Sequence, residues 1–302
     1  MSILVVGSVA FDTISTPFGR AEEVLGGSAI HFAAAASFFA DVRLVAVVGE
    51  DFPQDLLAFL RDRTVDLRGL QRVSGKTFRW VGEYGHDLNG AHTLDTQLNV
   101  FADFVPTIPE EYRDSEVVFL ANIDPDLQRD VLAQVRRPRF VAADTMNFWI
   151  TGKPESLRQT LRLVDTLLIN DAETRQLANE ANLVQAARRI LQWGPRALVI
   201  KRGEFGALMI NDGGWFAAPA LPLEVVRDPT GAGDSFAGGF VGYLAKTMQF
   251  EDTSVHKAMI MGSVLASFNV EAFSLDRLRT LTYKEIETRY RMFKRLAHFE
   301  DL

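Results

Sequence analysis

The chain contains no cysteine. Disulfides, thiolate metal sites and a cysteine nucleophile are therefore excluded, and the absence fits a reducing compartment. It also lacks any apolar stretch near the roughly 20 residues needed to span a bilayer. Met1-Ser-Ile-Leu-Val-Val-Gly7 has no basic leader, and its apolar run stops at Gly7, so it does not read as a signal peptide. An excess of positive charge is missing too: 32 basic against 39 acidic residues leave a net charge of −7. Proteins that bind nucleic acid over a whole surface are more often basic, so neither a nucleic acid nor a membrane is an expected partner. The histidines, His31, His86, His92, His256 and His298, include no pair at the spacing of a helical zinc site. The expected product is a soluble cytoplasmic protein.

What is present is ordinary globular material. The 302 residues are 47% hydrophobic and 24% charged, long enough to bury a substantial core. Ile3–Ala10 is an apolar, β-branched run that predicts a buried strand. An Ala-rich stretch of high helix propensity follows Gly26-Gly27, then a strand at Arg43–Val48 and a helix over Phe52–Arg63. Such alternation points to a parallel sheet with helices on both faces. Between about Thr77 and Phe104 the alternation breaks. Two strand-like runs joined by a Gly/Asn-rich turn suggest a small β lid. Beyond Pro109 strands are expected at Val117–Ala121, Phe140–Ala143, Thr166–Ile169 and Ala197–Ile200. Helices are expected near Asp126–Val135, Glu155–Val164, Ala172–Glu180 and Leu183–Trp193. A hairpin crosses Asn211-Asp-Gly-Gly, and the chain from Gly233 is mostly helical, with a one-sided helix over Tyr283–Phe299. With no repeat or linker, residues 1–302 read as one domain with a lid inserted at about 77–104.

Open parallel sheets bind ligands beyond the carboxyl ends of their strands. That draws attention to Asp12, Gly26-Gly27, Asp144, Asn170 to Glu173, and Arg202-Gly203. The strongest local signal is Asp228-Pro-Thr-Gly-Ala-Gly-Asp-Ser-Phe. Small residues at Gly231, Ala232 and Gly233 precede a helix starting near Asp234. The first N–H groups of a helix are unpaired and its dipole is positive there, so a phosphate can approach. Asp234 beside such a site is placed to take a proton from an attacking hydroxyl. By spacing alone it serves equally as an N-cap over a tight glycine turn. Gly75-Lys76-Thr77 is not a P-loop, because the pattern needs glycine at Leu70. Nor does Gly7 carry the spacing of a dinucleotide fingerprint.

The Asp228–Phe236 segment resembles the C-terminal signature of the ribokinase-like (PfkB) family of carbohydrate and nucleoside kinases. Other segments resemble the family's motifs in family order: Gly7-Ser8 with Asp12, Gly26-Gly27-Ser-Ala-Ile-His31, Gly49-Glu50-Asp51, Asn170-Asp-Ala-Glu173, and Lys201-Arg202-Gly203-Glu-Phe-Gly206. The resemblance implies a three-layer α/β fold with a mostly parallel central sheet. It implies Asp234 as catalytic base and Gly231, Ala232 and Gly233 as the anion hole. Asp12, Gly26, Gly27 and His31 would hold the substrate. Asn170, Lys201, Arg202, Gly203, Gly206 and Asn269 would line ATP, with the base held by about His256 to Asn269. Glu173 would organise Mg²⁺ through water, and Asp228 with Thr230 would bind a monovalent cation such as K⁺.

Three departures touch substrate recognition. The family commonly has Asn where this chain has His31. The Asp12–Gly26 link is short, so the first lid strands look reduced or missing. Ala142-Ala-Asp-Thr-Met-Asn lacks ribokinase's Asn-Pro strand end. The lid aromatics and histidines, Trp80, Tyr84, His86 and His92, stack on a sugar or base, pack the lid on the body, or meet a second copy in a homodimer. Asp12 and His31 are expected to converge on the substrate while Trp80 or Tyr84 closes over it. The implied activity is ATP-dependent phosphorylation of a hydroxyl on a small sugar or sugar-like molecule. A nucleoside kinase is the alternative within the family, and a non-catalytic sugar- or nucleotide-binding relative the alternative outside it.

Overall fold

A computed structural model describes residues 1–298 and 300. Its strands in chain order are β1 (Ser2–Val6), β2 (Ala10–Thr16), β3 (Gly19–Gly26), β4 (Asp41–Gly49), β5 (Val65–Val73), β6 (Phe78–Tyr84), β7 (Ala91–Gln97), β8 (Val117–Leu120), β9 (Phe140–Asp144), β10 (Thr166–Asn170), β11 (Ala197–Lys201), β12 (Ala207–Asn211) and β13 (Gly214–Ala218). The helices are α1 (Ser28–Ala36), α2 (Ala58–Arg61), α3 (Pro125–Gln134), α4 (Asn147–Gly152), α5 (Pro154–Leu161), α6 (Asp171–Ala178), α7 (Leu183–Leu191), α8 (Ala232–Thr247), α9 (Asp252–Asn269), α10 (Asp276–Thr280) and α11 (Tyr283–Leu296). Phe299, the end of the expected last helix, lies outside the described residues. No helix among the described residues is long and apolar enough to cross a membrane.

Nine strands form one sheet in the order β13-β12-β11-β10-β9-β8-β1-β4-β5. From β11 to β5 all neighbours run parallel, and β12 and β13 add an antiparallel edge. Successive side chains of β1 point to opposite faces. Ile3 and Val5 join the core under α1, α8 and α9, while Leu4 and Val6 join the core under α3, α5, α6 and α7. A strand buried on both faces must be apolar at every position, which is why the central strands stand out in the sequence. The three-layer α/β architecture is the expected one.

The second sheet has the order β3-β2-β6-β7. Here the structure corrects the sequence reading twice. Ile3–Ala10 is not one strand: β1 ends at Val6, and the chain crosses over Gly7-Ser8-Val9 into the lid strand β2. The Asp12–Gly26 link is not reduced. Thr16 pairs with Gly19 across Pro17-Phe18, so this tight turn leaves room for two full lid strands. The lid therefore joins residues 10–26 to the expected 77–104 segment, with β2 parallel to β6. Phe52–Arg63 is likewise shorter than expected, a 3₁₀ turn at Gln54–Leu57 running into the single turn of α2. Strand β5 went unseen because an edge strand tolerates the charges at Asp66, Arg68 and Arg72.

Candidate active site

The carboxyl ends of β1, β9, β10 and β11, the start of α8 and the inner face of the lid meet around one crevice. The start of α8 is shaped by Gly231, whose φ of 73° lies in the left-handed region. A Cβ there would lie 2.2 Å from Nδ1 of His31, so both backbone and space demand glycine. Ser235 N–H donates to the Gly231 carbonyl at 2.8 Å, starting the helix. Of the three expected anion-hole donors, the Ala232 N–H is turned back to the Pro229 carbonyl at 3.1 Å.

Asp234 stands in the first turn of α8. Burial, followed by the nearby Asp144 carboxylate, pushes its pKa up to about 8 against the lowering effect of Lys201; Asp12 adds to the rise. The positive end of a helix favours a carboxylate by about 0.3–2 kcal/mol, which does not offset this desolvation. Asp144 ends β9 and is nearly buried at 6% exposure, and its Oδ2 accepts from Lys201 Nζ at 2.8 Å. Lys201 ends β11 beside Asn170, the end of β10. A Cβ at Gly233 would lie 3.0 Å from Lys201 Nζ, so the ammonium sits against the first turn of α8.

Asp12 enters from the lid on β2. Its carboxylate crosses so close to Gly26 that a Cβ there would be 1.9 Å from Oδ2. Burial and then Asp228 push its pKa up to about 7, while the Gly27 N–H donates to it and opposes the rise. Ser8 and Ser28 clamp the end of β1 to the start of α1: Ser28 N–H donates to Ser8 Oγ at 3.0 Å, and Ser8 N–H to Ser28 Oγ at 3.3 Å. Tyr84 of β6 reaches the loop before α8, accepting from Thr230 Oγ1 at 3.1 Å. Trp80 does not: its indole N–H donates to Thr93 within the lid and its ring lies over Gly82.

Asn170 and Glu173 form a reciprocal capping box on α6. Glu173 N–H donates to Asn170 Oδ1 at 2.7 Å, and Asn170 N–H to Glu173 Oε2 at 3.1 Å. Burial, then Asp144, pushes Glu173 up to about 7. Among the described residues no group of three His, Cys, Asp or Glu side chains could by itself hold a metal. Arg202, Gly203 and Gly206 make the tight turn between β11 and β12, with Arg202 N–H donating to the Gly206 carbonyl at 2.8 Å. The lid tip meets this turn, where Asn89 donates to Glu204 at 3.4 Å. His256 stacks on Phe216 of β13 with ring centroids 4.1 Å apart.

Two expected contacts are corrected. Asn269 is fully buried and its amide is committed: Oδ1 accepts from Ser235 Oγ at 3.0 Å, and Nδ2 donates to the Thr230 carbonyl at 2.7 Å. It braces the loop before α8 and has no amide group left over for a ligand. His31 is 1% exposed, with Nδ1 2.9 Å from the same Asn269 Oδ1. Because that oxygen is an acceptor, Nδ1 carries the proton, and burial holds the ring neutral by pushing its pKa down to about 4. His31 thus supports Gly231 from below and does not converge with Asp12 on the crevice. Asp228 is fully buried, its carboxylate accepting from Thr230 N–H at 2.8 Å and Ser274 N–H at 2.9 Å. Sequence reasoning drew attention to Asp144 as a strand end and to Tyr84 as a lid aromatic; what it did not foresee are their partners, Lys201 for the first and Thr230 for the second.

The sequence model of the pfkB family carbohydrate kinases matches residues 2–278. The chain belongs to the pfkB carbohydrate kinase family. It is an ATP-dependent kinase that phosphorylates a hydroxyl. A cytidine kinase from Thermococcus kodakarensis is 33% identical over 263 residues, covering 83% of this chain and 91% of that protein. A nucleoside kinase from Methanocaldococcus jannaschii superposes with a TM-score of 0.76 at 20% identity, covering 96% of this chain and 98% of that one. Ribokinase from Thermotoga maritima gives 0.74 at 20% identity, covering 96% and 99%. Both structures share the fold of this chain.

Proposed function

We propose that the chain transfers the γ-phosphoryl group of ATP to a hydroxyl of a neutral ribose-containing acceptor, a nucleoside of the cytidine kind, with a neutral free sugar as the second reading. The observation that carries the chemistry is Asp234, a carboxyl with a pKa near neutrality at the first turn of α8, facing Lys201 across Gly233. The Asp234 carboxylate takes the acceptor proton as the hydroxyl oxygen attacks the γ-phosphorus and ADP leaves. The N–H groups of Gly231 and Gly233 and the dipole of α8 favour the negative charge that spreads over the transferring oxygens. Glu173 and Asn170 would hold Mg²⁺ through water, which when bound neutralises phosphate charge.

The charge around the site supports a neutral acceptor. Asp12, Asp144, Glu173, Asp228 and Asp234 act on one another electrostatically, and Lys201, the cation among them, is already paired with Asp144. A sugar acid or sugar phosphate finds no second cation among these groups to offset its charge, whereas ribose hydroxyls find a hydrogen-bond partner in Asp12. The identity to a cytidine kinase over most of both chains supports a nucleoside.

The same reading treats the chain as a single kinase domain working in the cytoplasm, with β7, exposed along its whole length, offered to the lid of a second copy. Sedimentation velocity tests that dimer. A monovalent cation at Asp228 also belongs to it, since among the described residues no basic group offsets that buried carboxylate; a K⁺ titration of the rate tests it. The deciding experiment is ADP release across cytidine, other nucleosides, ribose and a 2-dehydro-3-deoxy sugar acid. Cytidine or another nucleoside should lead. Turnover confined to the sugar acid would refute a neutral acceptor, and ligand binding without ADP release would establish a non-catalytic protein.

A further inference from the structure

Lys201 is a buried ammonium whose surroundings are unusual for a structural ion pair. Its side chain is 18% exposed, and its one side-chain acceptor among the described residues is Asp144 Oδ2 at 2.8 Å. An ammonium has three protons to donate, so two remain. On its other flank stands Gly233, where even a single Cβ would lie 3.0 Å from Nζ. No side chain therefore separates the charge from the first turn of α8, where the phosphate is expected. An ion pair kept only for stability gains little over apolar side chains of the same size. This one opens onto the helix terminus that carries Asp234.

We propose that Lys201 Nζ binds an oxygen of the transferring phosphoryl group, and that Asp144 is the positioning residue that holds the ammonium there. The inference rests on the kinase reading above. As the acceptor oxygen bonds to the γ-phosphorus, the bond to the bridging oxygen of ADP breaks, that oxygen keeps the electron pair, and the acceptor proton passes to Asp234. Lys201 supplies a fixed positive charge on the phosphoryl oxygens during this exchange, and the carboxylate of Asp144 fixes where that charge sits. Lysine suits the task as a compact point charge.

The test uses the full chain as Lys201→Met, Lys201→Arg and Asp144→Asn, with kcat, both KM values, the pH profile of kcat and thermal unfolding measured for each. Lys201→Met should lose about 10²–10³-fold in kcat while the acceptor KM changes little, and Lys201→Arg should recover part of the loss. The pH profile separates an effect on Asp234 from one on the phosphoryl group. Asp234 is faced by Asp144 from β9, Lys201 from β11 and Asp12 from β2. Removing the lysine charge should move the rise of kcat to higher pH, and removing the Asp144 charge should move it to lower pH, whichever role the pair has. The loss that counts is therefore read on the high-pH plateau of kcat, where Asp234 is ionised in every variant. A merely structural pair would lower the unfolding temperature and leave that plateau close to wild type in the folded protein. Lys201→Met with a plateau kcat within about threefold of the wild type, or a loss as large in Lys201→Arg as in Lys201→Met, would overturn the proposal. If Lys201→Met does not fold, a folded Asp144→Asn with a plateau kcat within about threefold of the wild type would overturn it. A wild-type chain that releases no ADP with any acceptor fails the kinase reading itself, and the inference falls with it.

Discussion

Asp234→Asn should abolish turnover and stabilise the protein, and the stabilisation should grow with pH. In the folded chain Asp234 is raised from 3.8 to about 8, first by burial and next by Asp144. A group whose folded pKa exceeds its unfolded value lends stability in full below the unfolded pKa, and that contribution is lost as pH rises through the folded pKa. At pH 5 Asp234 is neutral in the fold and only the first part of the loss, from 3.8 to 5, has occurred, so Asp and Asn differ less than at high pH. At pH 9 the wild type must hold a desolvated carboxylate beside Asp144 and Asp12, and the variant need not. The full pKa difference corresponds to at most about 6 kcal/mol. Water in the crevice and the ammonium of Lys201 screen part of that, which leaves an expected gain of about 1–3 kcal/mol at pH 9. At about 2 °C per kcal/mol the variant should melt about 2–6 °C above the wild type at pH 9 and by a smaller margin at pH 5. Asp12 and Glu173, each raised to about 7, impose the same pH slope on both proteins and cancel in the difference. Activity should fall by about 10²–10⁴ as a general base is lost. Thermal unfolding by circular dichroism across pH 5–9 is the assay. Parallel melting curves for the two proteins, or a variant less stable at pH 9, would refute the electrostatic account of this carboxyl.

Gly231→Ala should cost about 1–2 kcal/mol from its left-handed backbone alone, and more from the His31 ring, which Asn269 holds in place; its melting temperature and kcat should both drop, whereas Gly233→Ala, which meets only the flexible end of Lys201, should keep its melting temperature. Equal melting temperatures for the two would contradict this. Asp12→Ala should raise the acceptor KM or lower kcat by about 1–3 kcal/mol of lost hydrogen bonding, and leave the ATP KM nearly unchanged; an effect confined to ATP would move Asp12 out of the acceptor site. Glu173→Gln should raise the Mg²⁺ concentration for half-maximal rate, and an unchanged Mg²⁺ titration would reduce Glu173 to its capping role on α6.

How much of this was legible in the sequence depended on how local the physics is. The Gly231–Asp234 turn shows itself because a helix start that admits a phosphate needs small residues in a fixed order. The strand ends at Asp144, Asn170 and Lys201 show themselves because a strand buried on both faces must stop being apolar where it opens into the crevice. The lid hairpin did not. Ala10 and Phe11 continue the apolar run of β1, and only the crossing at Gly7-Ser8, fixed by contacts to Ser28, sends them to a different sheet.

His31 and Asn269 failed for a related reason. Each lies on an element that borders the crevice, and each carries a side chain suited to a ligand. What decides their role is a contact between residues 238 positions apart. Asn269 has one carbonyl and one amide to give. The amide fixes the Thr230 carbonyl, and the carbonyl takes both the Ser235 hydroxyl and the His31 ring N–H. Both ends of Asn269 are thus committed in a fully buried place, while the His31 ring is held through Nδ1 and its Nε2 has no hydrogen-bond partner among the described residues. The imidazole in turn fills the space that the missing side chain of Gly231 leaves open. The departure from the family's commoner asparagine at position 31 therefore belongs to the support of the Gly231 turn, a long-range packing role that no spacing along the chain encodes.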